Sequence, residues 1–138
     1  MTISARNQMK GTVSSVQEGA VSAIVTLKTP SGEAITATIS MEAIKELGLA
    51  AGKAVTAIVK ATEVMIGVGE LQLSARNQLS GEVVSIQEGA VNAIVGVKTD
   101  GGEELAATIS ISAVKELALV PGKRVKAVIK ATSVMLAV

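Results

Sequence analysis

Phenylalanine, tryptophan, tyrosine, cysteine and histidine are all absent from this 138-residue sequence. Without thiol or imidazole there is no thiolate or imidazole metal ligand, no Cys or His nucleophile or base, and no disulfide. Without aromatic rings there is no platform on which nucleobases can stack. Hydrophobic residues still make up 49% of the chain, so the core is expected to consist of Val, Ile, Leu, Ala and Met. Neither charge sign dominates: thirteen Lys and Arg face twelve Asp and Glu, a formal net charge of +1. That balance gives no general attraction for nucleic acid or an anionic membrane, so neither is expected as a partner and any charge chemistry must be local. No uncharged apolar run reaches the roughly 18 residues of a membrane span, and the opening MTISARNQMK lacks the apolar stretch of a secretory signal. A soluble, cytoplasmic protein is the default expectation, and the absence of cysteine agrees with it.

What is present is a repeat. Residues 1–68 align on 71–138 at a constant offset of 70 without a gap, and 39 of the 68 aligned positions are identical. SARNQ at Ser4 to Gln8 recurs at Ser74 to Gln78, QEGAV at Gln17 to Val21 recurs at Gln87 to Val91, ATIS at Ala37 to Ser40 recurs at Ala107 to Ser110, and KAT at Lys60 to Thr62 recurs at Lys130 to Thr132. A period this long suits a minimal domain better than a solenoid unit, so two like domains are expected, over 1–69 and 70–138, joined near Gly67 to Glu70. Domains this small, without disulfide, metal or aromatic payload, are marginal alone, which predicts an oligomer.

Within each unit the pattern is β-rich. Gly11 to Gln17 and Ala20 to Lys28 read as a hairpin split at Glu18-Gly19, and Ala34 to Ile39 alternates with Ile35, Ala37 and Ile39 on one face and Thr36 and Thr38 on the other. Ser40 then stands where an N-cap belongs, ahead of a short helix with Met41, Ile44 and Leu47 at helical spacing and Gly48 at its stop. Strands over Val55 to Lys60 and Val64 to Ile66 complete the unit. The fold class predicted is mainly β: two tandem OB-like five-stranded β-barrel domains, each with one short helix.

Three recurring segments carry the candidate chemistry. Ser4 and Arg6, with Lys60, would offer hydroxyl, guanidinium and ammonium donors without a carboxylate, which suits a small dianion. Composition alone favours a plainer role for Arg6, a surface ion pair with one of the eleven glutamates. Ser40 is a helix cap by position, and free N–H groups at a helix start are also an anion site. Gly19, Ala20 and Val21 most simply form a turn, or a nest of backbone amides. Asp100 faces Pro30 across the repeat and reads as turn chemistry, while Met65 and Met135 read as core filler. GxSxG, the P-loop and GxGxxG are all missing, and no motif pairs Ser4 with Lys60 as a dyad, so no enzyme and no cofactor is expected.

SARNQ, GTV, EGAV, ELGL, PGK and VIKATSVM, in this order and largely twice over, resemble the molbindins, small proteins built from molybdate- or tungstate-binding (Mop) domains, in their tandem form. The resemblance covers nearly the whole chain. It implies OB-like barrels, assembly into homotrimers, and binding of molybdate or tungstate between domains of different subunits, for cytoplasmic storage or buffering and molybdenum homeostasis without catalysis. Carried onto this sequence, the implied ligands are Ser4, Arg6, Ser40 and Lys60, and in the second unit Ser74, Arg76, Ser110 and Lys130. A second kind of site is implied at the turn Gly19, Ala20, Val21 and Ser22, and at Gly89, Ala90, Val91 and Asn92. Two positions depart from the family pattern: Thr62 and Thr132 stand where serine is frequent, which keeps the hydroxyl, and Ser22 faces Asn92, so the repeat does not imply equal affinity at the two turns. Mop domains also resemble the ligand-sensing part of molybdate-responsive regulators and an appended part of some transporter ATPases. The competing expectation is therefore an oxyanion-sensing module, which without a helix-turn-helix or P-loop of its own would act through a separate protein partner.

Overall fold

The computed structural model describes residues 2–138. The first repeat forms β1 (Asn7–Glu18), β2 (Ser22–Lys28), β3 (Ala34–Ser40), α1 (Met41–Leu47), β4 (Ala54–Val59) and β5 (Met65–Gly67). The second forms β6 (Asn77–Glu88), β7 (Asn92–Thr99), β8 (Glu104–Ser110), α2 (Ile111–Glu116), β9 (Arg124–Ile129) and β10 (Met135–Ala137). A single 3-10 turn, Ala61–Glu63 or Ala131–Ser133, precedes each last strand. Two five-stranded sheets result, as the mainly β reading expected.

β1 starts at Asn7, earlier than the β-branched run from Gly11 suggested. Its first half pairs with β4, from Asn7↔Val59 to Thr12↔Ala54, and its second half pairs with β2. The early residues are held by a partner far along the chain, so local alternation gives no notice of them. At the changeover sits Gly11, where a Cβ would lie 2.6 Å from the Lys28 carbonyl oxygen, and the register then shifts between Val13 and Ser15. A bulge beside a glycine bends the strand and lets one strand serve two neighbours.

The helix follows its sequence signals. The Ala43 N–H donates to Ser40 Oγ at 3.1 Å, and Gly48 ends the helix in the left-handed region at φ 62°. In the second repeat Ala118 occupies that position at φ 50°, the one non-glycine residue with positive φ among the described residues. There Lys123 Nζ donates to the carbonyls of Leu117 and Ala118, at 2.7 and 3.4 Å, which satisfies groups at the helix end.

Sheet and repeat differ in the fifth strand. β10 pairs with β4 of the first repeat (Met135↔Ile58), and β5 pairs with β9 of the second (Met65↔Val128). Each repeat thus completes its sheet with the other's last strand. The core reflects this: Met9, Leu27 and Ile35 share one buried cluster with Leu79, Leu105, Ile129 and Val134.

Candidate functional site

The two SARN segments are anchored by their asparagines. Asn7 is 1% exposed; its Nδ2 donates to the Ala106 carbonyl at 2.9 Å and its Oδ1 accepts from the Ala106 N–H at 2.7 Å. Asn77 does the same to Thr36, with both bonds at 2.8 Å. A carboxamide carries both a donor and an acceptor, so it can occupy a strand-edge residue as a neighbouring backbone would. These bonds tie the start of each first strand to the opposite repeat's β3 or β8 and fix where the preceding residues emerge.

Ser4 and Arg6 precede this anchor and Lys60 follows β4. Antiparallel pairing of Asn7 with Val59 brings Arg6 and Lys60 to adjacent strand ends. They meet in an open cavity of about 350 Å³ lined by Ser4, Arg6, Lys60 and Thr62, with Thr108 and Met135 from the second repeat. The matching cavity, about 430 Å³, is lined by Ser74, Arg76, Lys130 and Thr132, with Thr38 and Met65 from the first repeat. No carboxylate lines either cavity. Nor do these four cations form ion pairs: the one ion pair among the described residues joins Arg124 to Asp100. The surface pairing that composition favours for Arg6 is not made.

Ser40 and Ser110 stand apart from both cavities. Each caps its helix, and each is paired across the sheet with the turn residue Ser22 or Asn92. In those turns the Gly19 N–H donates to the Ser22 carbonyl at 2.9 Å and the Gly89 N–H to the Asn92 carbonyl at 2.8 Å, so these amides are already engaged. Ala20 and Ala90 are exposed, and Val21 and Val91 project at 80% and 73% exposure. Arg6 also borders a third cavity, of about 330 Å³, with Gln87, Glu88, Gly89, Asn92 and Thr108.

Two pairs of cavity residues escape a reading of the sequence. Thr38 and Thr108 belong to the repeated ATIS segments and to the polar face of their strands, a signal that was present but pointed to no particular site. Met65 and Met135 are corrected from core filler: they are 45% and 46% exposed and line the cavities, because each last strand lies in the other repeat's sheet. Asp100 does sit in a turn, yet its carboxylate accepts both arms of Arg124, at 2.8 and 2.7 Å. The guanidinium holds that carboxyl below its ordinary pKa, and the carboxylate in turn raises Arg124. The first repeat has Pro30 and Ala54 at these two positions. Among the described residues no helix is long and apolar enough to cross a membrane, and no cluster of acidic residues is placed to hold a cation.

Comparison with known proteins fits this geometry. The TOBE domain family matches residues 3–66 and 73–136. The molybdenum transport protein ModE of Azotobacter vinelandii is 39% identical over 139 residues, covering 100% of this chain and 52% of ModE, so the chain spans about half the length of that relative. A probable molybdenum-pterin-binding protein of Haemophilus influenzae is 57% identical over 68 residues, 49% of this chain and 99% of its own length. Among solved structures, the cytoplasmic molybdate-binding protein ModG, with molybdate bound, superposes with a TM-score of 0.96 at 46% identity, covering 100% of this chain and 99% of ModG. Matched at both repeats, the chain belongs to the TOBE-domain family as a tandem of two such domains.

Proposed function

We propose that this chain binds molybdate, without catalysis, in two equivalent cavities, and that as a cytoplasmic homotrimer it stores or buffers the oxyanion. The observation that carries the reading is the donor set: in each cavity serine, arginine, lysine and threonines converge with no carboxylate, and the cations are unpaired among the described residues. Molybdate is a tetrahedral dianion that only accepts hydrogen bonds, so such a pocket complements it. Hydrogen bonds to charged groups contribute about 1.5–3 kcal/mol each, so a few per site suffice for micromolar affinity once ordering costs are met. Tungstate has the same charge and nearly the same shape and is taken alike. ModG is named as a molybdate-binding protein, which agrees with this ligand, and the name of the Haemophilus influenzae relative points to molybdenum bound as a pterin compound.

Neither Ser40 nor Ser110 lines a cavity, so in this proposal those serines and the turns Gly19–Ser22 and Gly89–Asn92 contribute to sites completed by another chain. A second reading is an oxyanion-sensing module that acts through a separate partner, and what supports it is that the chain spans only about half the length of ModE, a molybdenum transport protein. Isothermal titration with molybdate, with sulfate as competitor and assembly mass measured in parallel, separates the two. Binding of more than one anion per chain, poorly resisted by sulfate, is expected; a well-folded oligomer that binds none would favour the partner-dependent module. Arg6→Ala and Lys60→Ala should each remove one class of sites and leave the assembly intact, and full stoichiometry in both variants would overturn the assignment.

A further inference from the structure

The two cavities are crossed between repeats. The charged donors of each come from one repeat, while the last strand of the other supplies a methionine wall: Met135 faces the cavity of Arg6 and Lys60, and Met65 faces that of Arg76 and Lys130. Around each methionine the wall is apolar, with Ile3, Ala5 and Ala61 in one cavity and Leu73, Ala75 and Ala131 in the other. Two of the other methionines differ in kind: Met9 is 1% exposed, and Met41 packs against the core. Each of these two methionines leaves nearly half of its side chain exposed, at equivalent places in both repeats and beside unpaired cations.

We infer that Met65 and Met135 are selectivity residues, forming an apolar wall that favours large, weakly hydrated tetrahedral dianions over sulfate. The inference rests on the oxyanion reading of these cavities and adds what discriminates among oxyanions. Molybdate and sulfate, both unprotonated dianions, present the same charge to Arg6, Lys60 and the hydroxyls, so donors alone separate them poorly, whereas phosphate keeps a proton at neutral pH for which these cavities offer no carboxylate acceptor. Hydration separates molybdate from sulfate. An anion entering the cavity exchanges part of its water shell for donors on one side and a thioether and methyls on the other. That exchange costs most for a small ion whose charge is concentrated, and sulfate and phosphate hold water strongly. A larger ion with the same charge loses less on the dry side and gains more dispersion contact with a polarisable sulfur. Strand exchange places this wall, so each cavity's preference is written in the repeat that does not supply its charges.

The test compares the wild-type chain with the double variants Met65→Gln, Met135→Gln and Met65→Leu, Met135→Leu, by titration with molybdate and with sulfate. Glutamine has a similar shape and brings a hydrated amide with donors to the wall. The ratio of molybdate to sulfate affinity should fall about tenfold in the glutamine pair, the lower end of what one altered pocket wall gives to discrimination, while the leucine pair keeps the ratio within about twofold of wild type. An unchanged ratio in a folded glutamine variant that still binds molybdate would overturn the methionine wall and leave the oxyanion reading standing. A wild-type chain that binds neither anion would overturn both. If the glutamine pair fails to fold, the single variant Met135→Gln decides, since it should lower the ratio for one class of sites only; equal change in both classes would refute the crossed arrangement.

Discussion

Asn7 and Asn77 are the residues on which the relation between the repeats turns. Replacing either with alanine leaves a backbone N–H and a carbonyl of the opposite repeat without their partners, which costs about 2 kcal/mol for two half-buried groups. Asn77→Ala should therefore lower the urea midpoint substantially, whereas Gln8→Ala, which removes bonds at an exposed site, should barely move it. A comparable midpoint for the two variants would show that the asparagine bonds are dispensable. Asp100 offers a contrasting case. Its carboxyl titrates lower in the folded chain than in the unfolded one, so its contribution to stability is present above the ordinary carboxylate range and is lost as pH falls through that range and below. The pair is well exposed, so the contribution is small. The stability of wild type relative to Asp100→Asn should accordingly be slightly positive at neutral pH and shrink as the pH falls; a difference that grows on acidification would contradict the assignment.

At the scale of elements, the two helices allow a comparison within one chain. α1 ends at a glycine and α2 at Ala118, in nearly the same left-handed conformation. An L-residue there costs roughly 1–2 kcal/mol, so Ala118→Gly should raise the melting temperature and Gly48→Ala should lower it, measured by calorimetry. Lys123, which bonds the carbonyls at the end of α2, offsets part of the strain, and Lys123→Met should destabilise more than Lys53→Met. Elements were also where the sequence was most legible. Period-two alternation marked β3, serine and glycine marked the ends of α1, and Glu18-Gly19 marked the first hairpin, because each signal is local. The start of β1 and the fifth strand were not legible, since their partners lie far away and Met65-Ile66-Gly67 and Met135-Leu136-Ala137 suit either sheet equally well. The candidate site divides the same way. Ser4, Arg6 and Lys60 followed from recurring donors and from family resemblance, but Thr108 and Met135 arrive through pairings between repeats that no local pattern encodes.

For the whole molecule, shared core and exchanged strands make the two repeats one cooperative unit. Thermal unfolding should give a single transition whose calorimetric and van't Hoff enthalpies agree, while two resolved transitions would show that the repeats melt separately. Molybdate at about one hundred times its dissociation constant should stabilise the chain by about 2.7 kcal/mol per occupied site, read as a rise in melting temperature. Exchange of β5 and β10 also sets an order of events during synthesis. When the first repeat leaves the ribosome, β4 has a vacant edge, and its native partner β10 will be made only after the entire second repeat. Domains generally fold as they emerge, N-terminal first, and an open strand edge invites pairing. The first repeat therefore cannot complete its native sheet until the last strand of the second repeat has been made.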